Sequence, residues 1–144
     1  MAVDVKAEVS INRTPEEVAD VMFNPKQDKL WIRDISGSFP MESGLYKKGA
    51  KIERVGNFLG KHFSAKLLVT KFEENKMVQI YSDEPFEMNI SYSLKKADEG
   101  TNASIKITSI AEIPFDTPVV VLSKKLQENL EADLKRLKKH LEME

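Results

Sequence analysis

The chain has 144 residues, 41% hydrophobic and 31% charged, which is typical of one globular domain. Its 22 basic and 23 acidic residues give a formal net charge of -1, which disfavours nucleic-acid binding because such proteins usually carry a basic excess. The absence of cysteine excludes disulfides, thiolate nucleophiles and cysteine-based zinc sites. With no apolar signal core at the N-terminus and no apolar run of roughly 20 residues, we expect a single cytoplasmic domain over residues 1–144 without an integral membrane segment.

The first 31 residues predict a strand followed by two short helices. Residues 3–11 alternate between apolar and polar side chains, which indicates a half-buried antiparallel strand. The sequence Thr14-Pro15-Glu16-Glu17 has the pattern of a capping box and predicts a helix start. Asn24-Pro25 ends this helix, and a second short helix is expected from Pro25 to Trp31.

Residues 35–113 predict six further strands separated by turn residues. One expected turn lies around Asn57, bracketed by Gly56 and Gly60. Closely spaced strands without helices between them indicate an antiparallel meander. The predicted strands cover 35–42, 50–58, 61–72, 77–83, 86–96 and 101–113.

The last segment predicts a long amphipathic helix of about 25 residues, or ~37 Å. Thr117 is the expected N-cap ahead of Pro118, and leucines then recur every three or four residues from Leu122 to Leu141. This helix is the only predicted element large enough to bury the apolar face of the sheet. Because a twisted sheet curls, it contacts a straight helix along part of its length only, so we expect a cavity between them. A pocket for a small molecule should reach about 300 Å³.

This order of elements resembles the START-like, helix-grip superfamily (SRPBCC), and most of all its polyketide cyclase/dehydrase and lipid-transport branch. The resemblance covers essentially the whole chain. It implies an α+β fold in which a seven-stranded curved antiparallel sheet wraps around the C-terminal helix, with two short helices between the first two strands. The motifs that carry it are Thr14-Pro15-Glu16-Glu17, Trp31, Gly44 with Gly49, Gly100-Thr101 and Leu134-Lys135-Arg136-Leu137-Lys138.

The candidate ligand-binding residues are apolar side chains on the expected inner face, together with a few polar ones. Apolar walls with a few polar anchors are typical of small-molecule pockets. Plain core packing is the alternative interpretation for the apolar members. The predicted set is Trp31, Arg54, Phe58, Phe63, Leu67, Met88, Tyr92, Ile107, Leu122, Leu126 and Asn129.

Three polar candidates have alternative interpretations. Arg54 shares a strand face with Ile52 and Phe58, and a buried arginine would need an acidic side chain or an anionic ligand as partner. The opposite register, which turns Arg54 to solvent, is slightly favoured. Asn129 and Asp133 lie at the edges of the leucine stripe, where they face either a ligand or the solvent boundary.

The sequence offers no catalytic constellation. His62 is expected to point outward by strand alternation, and His140 lies in the last helical turn, so we predict no catalytic residue, no metal site and no cofactor. We therefore favour binding or transport of a small hydrophobic molecule, lipid or polyketide-like. The alternatives are a cyclase/dehydratase that uses Arg54, Tyr92 or Asp133, and a stress-related module that contacts a chaperone.

Overall fold

The chain folds into one seven-stranded antiparallel sheet with a long helix packed on it. The computed structural model describes residues 2–42, 44, 46–113 and 116–143. The spatial order of the strands is β1-β7-β6-β5-β4-β3-β2. Strands β2 to β7 therefore each pair with the next strand in sequence, and β1 pairs with β7. The strands are β1 (Asp4–Ile11), β2 (Ile35–Pro40), β3 (Lys51–Phe58), β4 (Lys61–Glu73), β5 (Met77–Ser82), β6 (Met88–Ala97) and β7 (Gly100–Ser109). The predicted fold class is confirmed.

The short helices lie between β1 and β2, as predicted. They are α1 (Pro15–Met22), a 3₁₀ turn at Pro25–Gln27 and α2 (Asp28–Trp31). The capping box that begins α1 is present, because the Glu17 backbone N–H donates to Thr14 Oγ1 at 3.2 Å and the Thr14 N–H donates to Glu17 Oε1 at 3.1 Å. Each side chain thus satisfies a backbone group that the helix itself leaves unpaired.

The long helix α3 spans Val119–Glu142 and packs on β1, β7 and α2. Its leucine stripe is buried as predicted, at Leu122, Leu126, Leu130, Leu134, Leu137 and Leu141. The predicted cap at Thr117 is wrong: Pro118, with extended backbone angles, occupies the N-cap position, and no side chain caps the helix. Among the described residues, no helix is long and apolar enough to cross a membrane.

One turn and one strand end differ clearly from the prediction, whereas the other predicted strand ends lie within two residues of the observed ones. The expected turn around Asn57 is wrong, because β3 continues to Phe58 with Asn57 paired to His62, and the turn lies at Leu59 and Gly60. The last strand ends at Ser109 instead of residue 113. There its partners run out, since Thr108 pairs with Asp4 at the beginning of β1 and Ser109 pairs with Met88 at the beginning of β6.

Gly56 allows the segment after α2 to lie directly on β3. A Cβ atom at Gly56 would come within 2.1 Å of the Asp34 carbonyl oxygen and 2.8 Å of the Ile35 Cα. The same Asp34 carbonyl accepts the Asn57 N–H at 2.9 Å. Backbone atoms cannot withdraw as a flexible side chain can, so this contact requires glycine.

We predict that Gly56→Ala lowers the free energy of unfolding by about 3 kcal/mol, because the new methyl group forces the two backbones apart. Gly37→Ala is the matched control, since its Cβ would meet side chains and no backbone: the outer ring atoms of the exposed Phe39 at 2.7 Å and Val55 Cγ2 at 3.5 Å. Urea unfolding of both variants measures the difference. Equal losses in the two variants would contradict the close-approach explanation.

Candidate ligand-binding cavity

A cavity of about 110 Å³ lies between the inner face of the sheet and α3, beside α2. Most of its wall is apolar, and its polar side chains include Arg54, Tyr92, Asn129 and Asp133. Nine of the eleven predicted ligand-binding residues line it, namely Trp31, Arg54, Phe58, Phe63, Met88, Tyr92, Ile107, Leu126 and Asn129. Their role in binding stays a prediction.

Leu67 and Leu122, the other two predicted residues, are buried but do not line the cavity. They belong to the hydrophobic core, which is the alternative interpretation for apolar positions on this face. Alternation and helical spacing predict which face of a strand or helix a side chain occupies. They do not predict how far along that face the cavity extends. This is why the sequence does not separate wall from core.

The cavity also contains residues outside the predicted ligand-binding set. Ala65, Ile90 and Ile105 share the inner faces of β4, β6 and β7 with predicted residues, so strand alternation could have found them. Ile32, Asp34, Glu84 and Pro85 lie in connections that have no periodic pattern. The additional lining residues are Ile32, Asp34, Ile35, Asn57, Ala65, Ser82, Glu84, Pro85, Ile90, Ile105, Leu130 and Asp133.

Arg54 faces inward, so the favoured opposite register of β3 is wrong. Ile52, Arg54 and Phe58 are all buried, whereas Glu53 is exposed. The reason is the partner of Arg54: its Nη2 lies 2.8 Å from Asp28 Oδ2, and the Asp28 side chain is completely buried. An acidic protein side chain, one of the two partners that the sequence allowed, therefore pairs with the guanidinium.

Asp28 is the centre of a buried polar network. Its Oδ2 accepts hydrogen bonds from Arg54, from the Tyr46 hydroxyl at 2.5 Å and from the Ser38 hydroxyl at 3.1 Å. Arg54 Nη2 also donates to the Tyr46 oxygen at 3.0 Å and to the Tyr92 oxygen at 3.4 Å. The network therefore connects α2 to β2, β3, β6 and the loop that carries Tyr46.

Burial dominates the electrostatics of this network. It raises the pKa of Asp28, against the lowering effects of Arg54, Tyr46 and Ser38. Burial also raises the pKa of Tyr92 to about 12, so this phenol is neutral at physiological pH. The Arg54 guanidinium stays charged: burial lowers its pKa, but Tyr92, Tyr46 and Asp28 together raise it above the ordinary value. The charge-assisted bonds to Asp28 fit an ionised carboxylate beside this cation.

Two side chains of α3 hold the segment that follows α2. Asp133 Oδ1 accepts the Arg33 backbone N–H at 3.1 Å, and Asn129 Nδ2 donates to Asp34 Oδ2 at 2.9 Å. Asn129, Asp133 and Asp34 all line the cavity; Asp133 is buried, whereas Asn129 is partly exposed, and contact of either with a ligand stays a prediction. Burial raises the pKa of Asp133 to about 6, against the lowering effect of the Arg33 N–H.

The histidines lie outside the cavity. His62 is exposed on β4, as strand alternation predicted, and His140 lies on α3 near its C-terminal end. Among the described residues no group of three or more acidic or histidine side chains is arranged to hold a metal ion.

Solved structures with the same arrangement span the whole chain. TTHA0849 from Thermus thermophilus matches with a TM-score of 0.78 and 20% identity over 97% of both chains. Ara h 8.0201 matches with a TM-score of 0.72 and 14% identity over 100% of both chains. The chain has the START-like helix-grip fold.

A third helix-grip neighbour is larger than this chain. DynU16, a protein of the dynemicin biosynthetic locus, matches with a TM-score of 0.72 and 17% identity over 96% of this chain and 47% of DynU16. No protein-family model matches the sequence, and no curated protein shows significant similarity to it. At these identities the likeness establishes the fold.

We predict that Arg54→Met lowers the free energy of unfolding by roughly 3–5 kcal/mol, because it leaves the buried Asp28 carboxylate without its cation. The double variant Asp28→Asn/Arg54→Met should lose less than the sum of the two single variants. Lys47→Met is the control, since its ion pair with Glu42 is exposed and should contribute below about 1 kcal/mol. Additive losses in the double-mutant cycle, measured by urea unfolding, would show that the pair is not coupled.

Asp133 should make the protein less stable as pH rises. Its pKa is higher in the folded protein, about 6, than the value near 4 of an unfolded chain, so the folded state binds the proton more tightly. The stability from this proton is present below about pH 4 and is lost as pH rises through 6. We expect wild type to lose about 2 kcal/mol relative to Asp133→Asn between pH 4 and pH 7.

Asp98→Asn, in the exposed turn between β6 and β7, is the control for that pH series. Its unfolding free energy should follow the wild-type curve. A wild-type curve parallel to that of Asp133→Asn, or an Asp133 carboxyl resonance that titrates near pH 4 by NMR, would show that burial does not hold the proton.

Proposed function

We propose that the chain binds a small, mainly apolar molecule in the cavity beneath α3. The observation that carries the proposal is the cavity itself. Its wall is mostly apolar and includes a few polar side chains, which is typical of small-molecule sites. The helix-grip fold supports it by placing a curved sheet against a helix that covers only part of the inner face. We further propose that residues 1–144 act together as one domain.

The size of the cavity sets the size of the ligand. Its volume of about 110 Å³ is below the roughly 300 Å³ expected from the sequence argument. A cavity of about 150 Å³ holds benzene, so the present cavity must widen slightly to take a ligand of one substituted ring. A lipid or a polyketide-like molecule requires the wall to open, and Met88 is an unbranched, adaptable side chain on that wall.

The cyclase/dehydratase function is the second proposal, and one observation favours it. Arg54, Tyr92 and Asp133 all line the same cavity, and the pKa of Asp133 is raised by burial to about 6. A carboxyl with a pKa near the working pH can exchange a proton with a bound carbonyl compound. Turnover of a carbonyl compound by wild type, lost in Asp133→Asn with binding retained, would select this function over simple binding.

Other expectations from the sequence remain predictions. They include the cytoplasmic location, the lack of a cofactor and the third function, contact with a chaperone. That third function requires a contiguous exposed apolar patch. The exposed large apolar side chains among the described residues are Leu30, Phe39, Met41, Leu59, Leu68, Ile110, Val120, Val121 and Met143.

We predict that Met88→Trp weakens binding of ethylbenzene at least tenfold, because the larger side chain occupies part of the small cavity. Isothermal titration calorimetry measures the affinity, and circular dichroism checks that the fold is retained. Met41→Trp makes the same exchange at an exposed position and should leave the affinity unchanged. Equal affinity in Met88→Trp and wild type would show that Met88 does not contact the ligand. Absence of ethylbenzene binding by wild type would contradict the proposed function.

A further inference from the structure

Two residues that line the cavity carry buried hydrogen-bond donors without an acceptor among the described residues. The indole Nε1–H of Trp31 and the Nε–H of Arg54 are buried, and neither has a partner among the described residues. Trp31 is completely buried and Arg54 is 7% exposed, while both line the cavity. A buried donor without an acceptor is unfavourable, so a molecule that brings an acceptor to these groups gains a hydrogen bond without displacing an existing one.

The two donors belong to the same aromatic and polar cluster. The Trp31 ring contacts the Tyr92 ring edge to face, with centroids 5.7 Å apart. The Tyr92 hydroxyl accepts from Arg54 Nη2 at 3.4 Å. Trp31 and Arg54 therefore both contact Tyr92, and all three residues line the cavity.

The charges around the cavity argue against an anionic acceptor. Arg54 is the one basic residue among the described residues that line it, and Asp28 already neutralises this cation at 2.8 Å. Asp34, Glu84 and Asp133 also line the cavity, so acidic residues outnumber the basic one. A carboxylate ligand would enter a site with little uncompensated positive charge and would lose its hydration.

We propose that the cavity selects an apolar molecule with a neutral carbonyl oxygen, which accepts hydrogen bonds from Trp31 Nε1–H and Arg54 Nε–H. This inference rests on the proposed binding function and specifies the chemical class of the ligand. A ligand amine is the less suitable class, because it would leave both donors unpaired. The Asp133 oxygen Oδ1, moreover, already accepts the Arg33 N–H.

The test compares four one-ring probes of similar size: acetophenone, ethylbenzene, benzoate and 1-phenylethylamine. Calorimetry at pH 7.5 with wild type should give an affinity for acetophenone about twenty-fivefold above that for ethylbenzene, which is about fivefold for each of the two hydrogen bonds. Benzoate and 1-phenylethylamine should bind at least about tenfold more weakly than acetophenone, because each brings a charge into the site.

Trp31→Phe removes the indole donor and keeps an aromatic ring. In this variant the preference for acetophenone over ethylbenzene should fall to about fivefold, because only the Arg54 donor remains, while ethylbenzene still binds. Trp31 is the only tryptophan, so its indole N–H gives a single resonance in wild type. Acetophenone should shift this resonance downfield, and ethylbenzene should not, which provides a test even if Trp31→Phe fails to fold.

The outcomes separate this inference from the binding function on which it rests. Ethylbenzene binding as tight as or tighter than acetophenone binding, with an unmoved indole resonance, would overturn the carbonyl inference and leave the binding function intact. Tightest binding of benzoate or of 1-phenylethylamine would also overturn it, in favour of an anionic or cationic ligand. No binding of any probe would contradict both.

Discussion

The buried ion pair between Asp28 and Arg54 is the interaction on which the cavity depends. It fixes the four-residue helix α2 to β3, and with it Trp31 at the end of that helix. Such a short helix has little stability of its own, so tertiary contacts must hold it in place. A buried pair is costly to desolvate, and this one is compensated by the hydroxyls of Tyr46 and Ser38 on the same carboxylate oxygen. The polar end of the cavity is thus built around a charge that the fold has already neutralised.

The overall fold could be predicted from the sequence because its signals are periodic. Alternation in β1 and β6 and the leucine stripe of α3 indicate which face is buried, and the capping box at Thr14 marks where α1 begins. The ordered set then indicated the helix-grip arrangement. The same alternation placed most of the cavity wall, since the wall is the inner face of the strands. Periodicity does not determine which residue caps a helix, and the predicted N-cap of α3 at Thr117 is wrong because Pro118 occupies that position.

The candidate site could be predicted only in part, because its decisive contacts join distant segments. No sequence pattern identifies Asp28 as the partner of Arg54. Asp28 lies in a polar stretch before Trp31, and its burial follows from how α2 packs on β2 and α3. The predicted outward direction of Arg54 is wrong for the same reason, since burial of its guanidinium is favourable only with that partner. Neither alternation nor helical spacing could give the cavity volume, because volume depends on distances between elements.

The order of the strands has a consequence for how the chain acquires its structure during synthesis. Strands β2 to β7 can pair one after another as they leave the ribosome, since each lies beside its neighbour in sequence. The first strand must wait, because its partner β7 is about a hundred residues away, with Asp4 opposite Thr108. Contacts this distant in sequence close large loops and form slowly. The N-terminal strand therefore stays unpaired and aggregation-prone until β7, which lies between β1 and β6, has been synthesised.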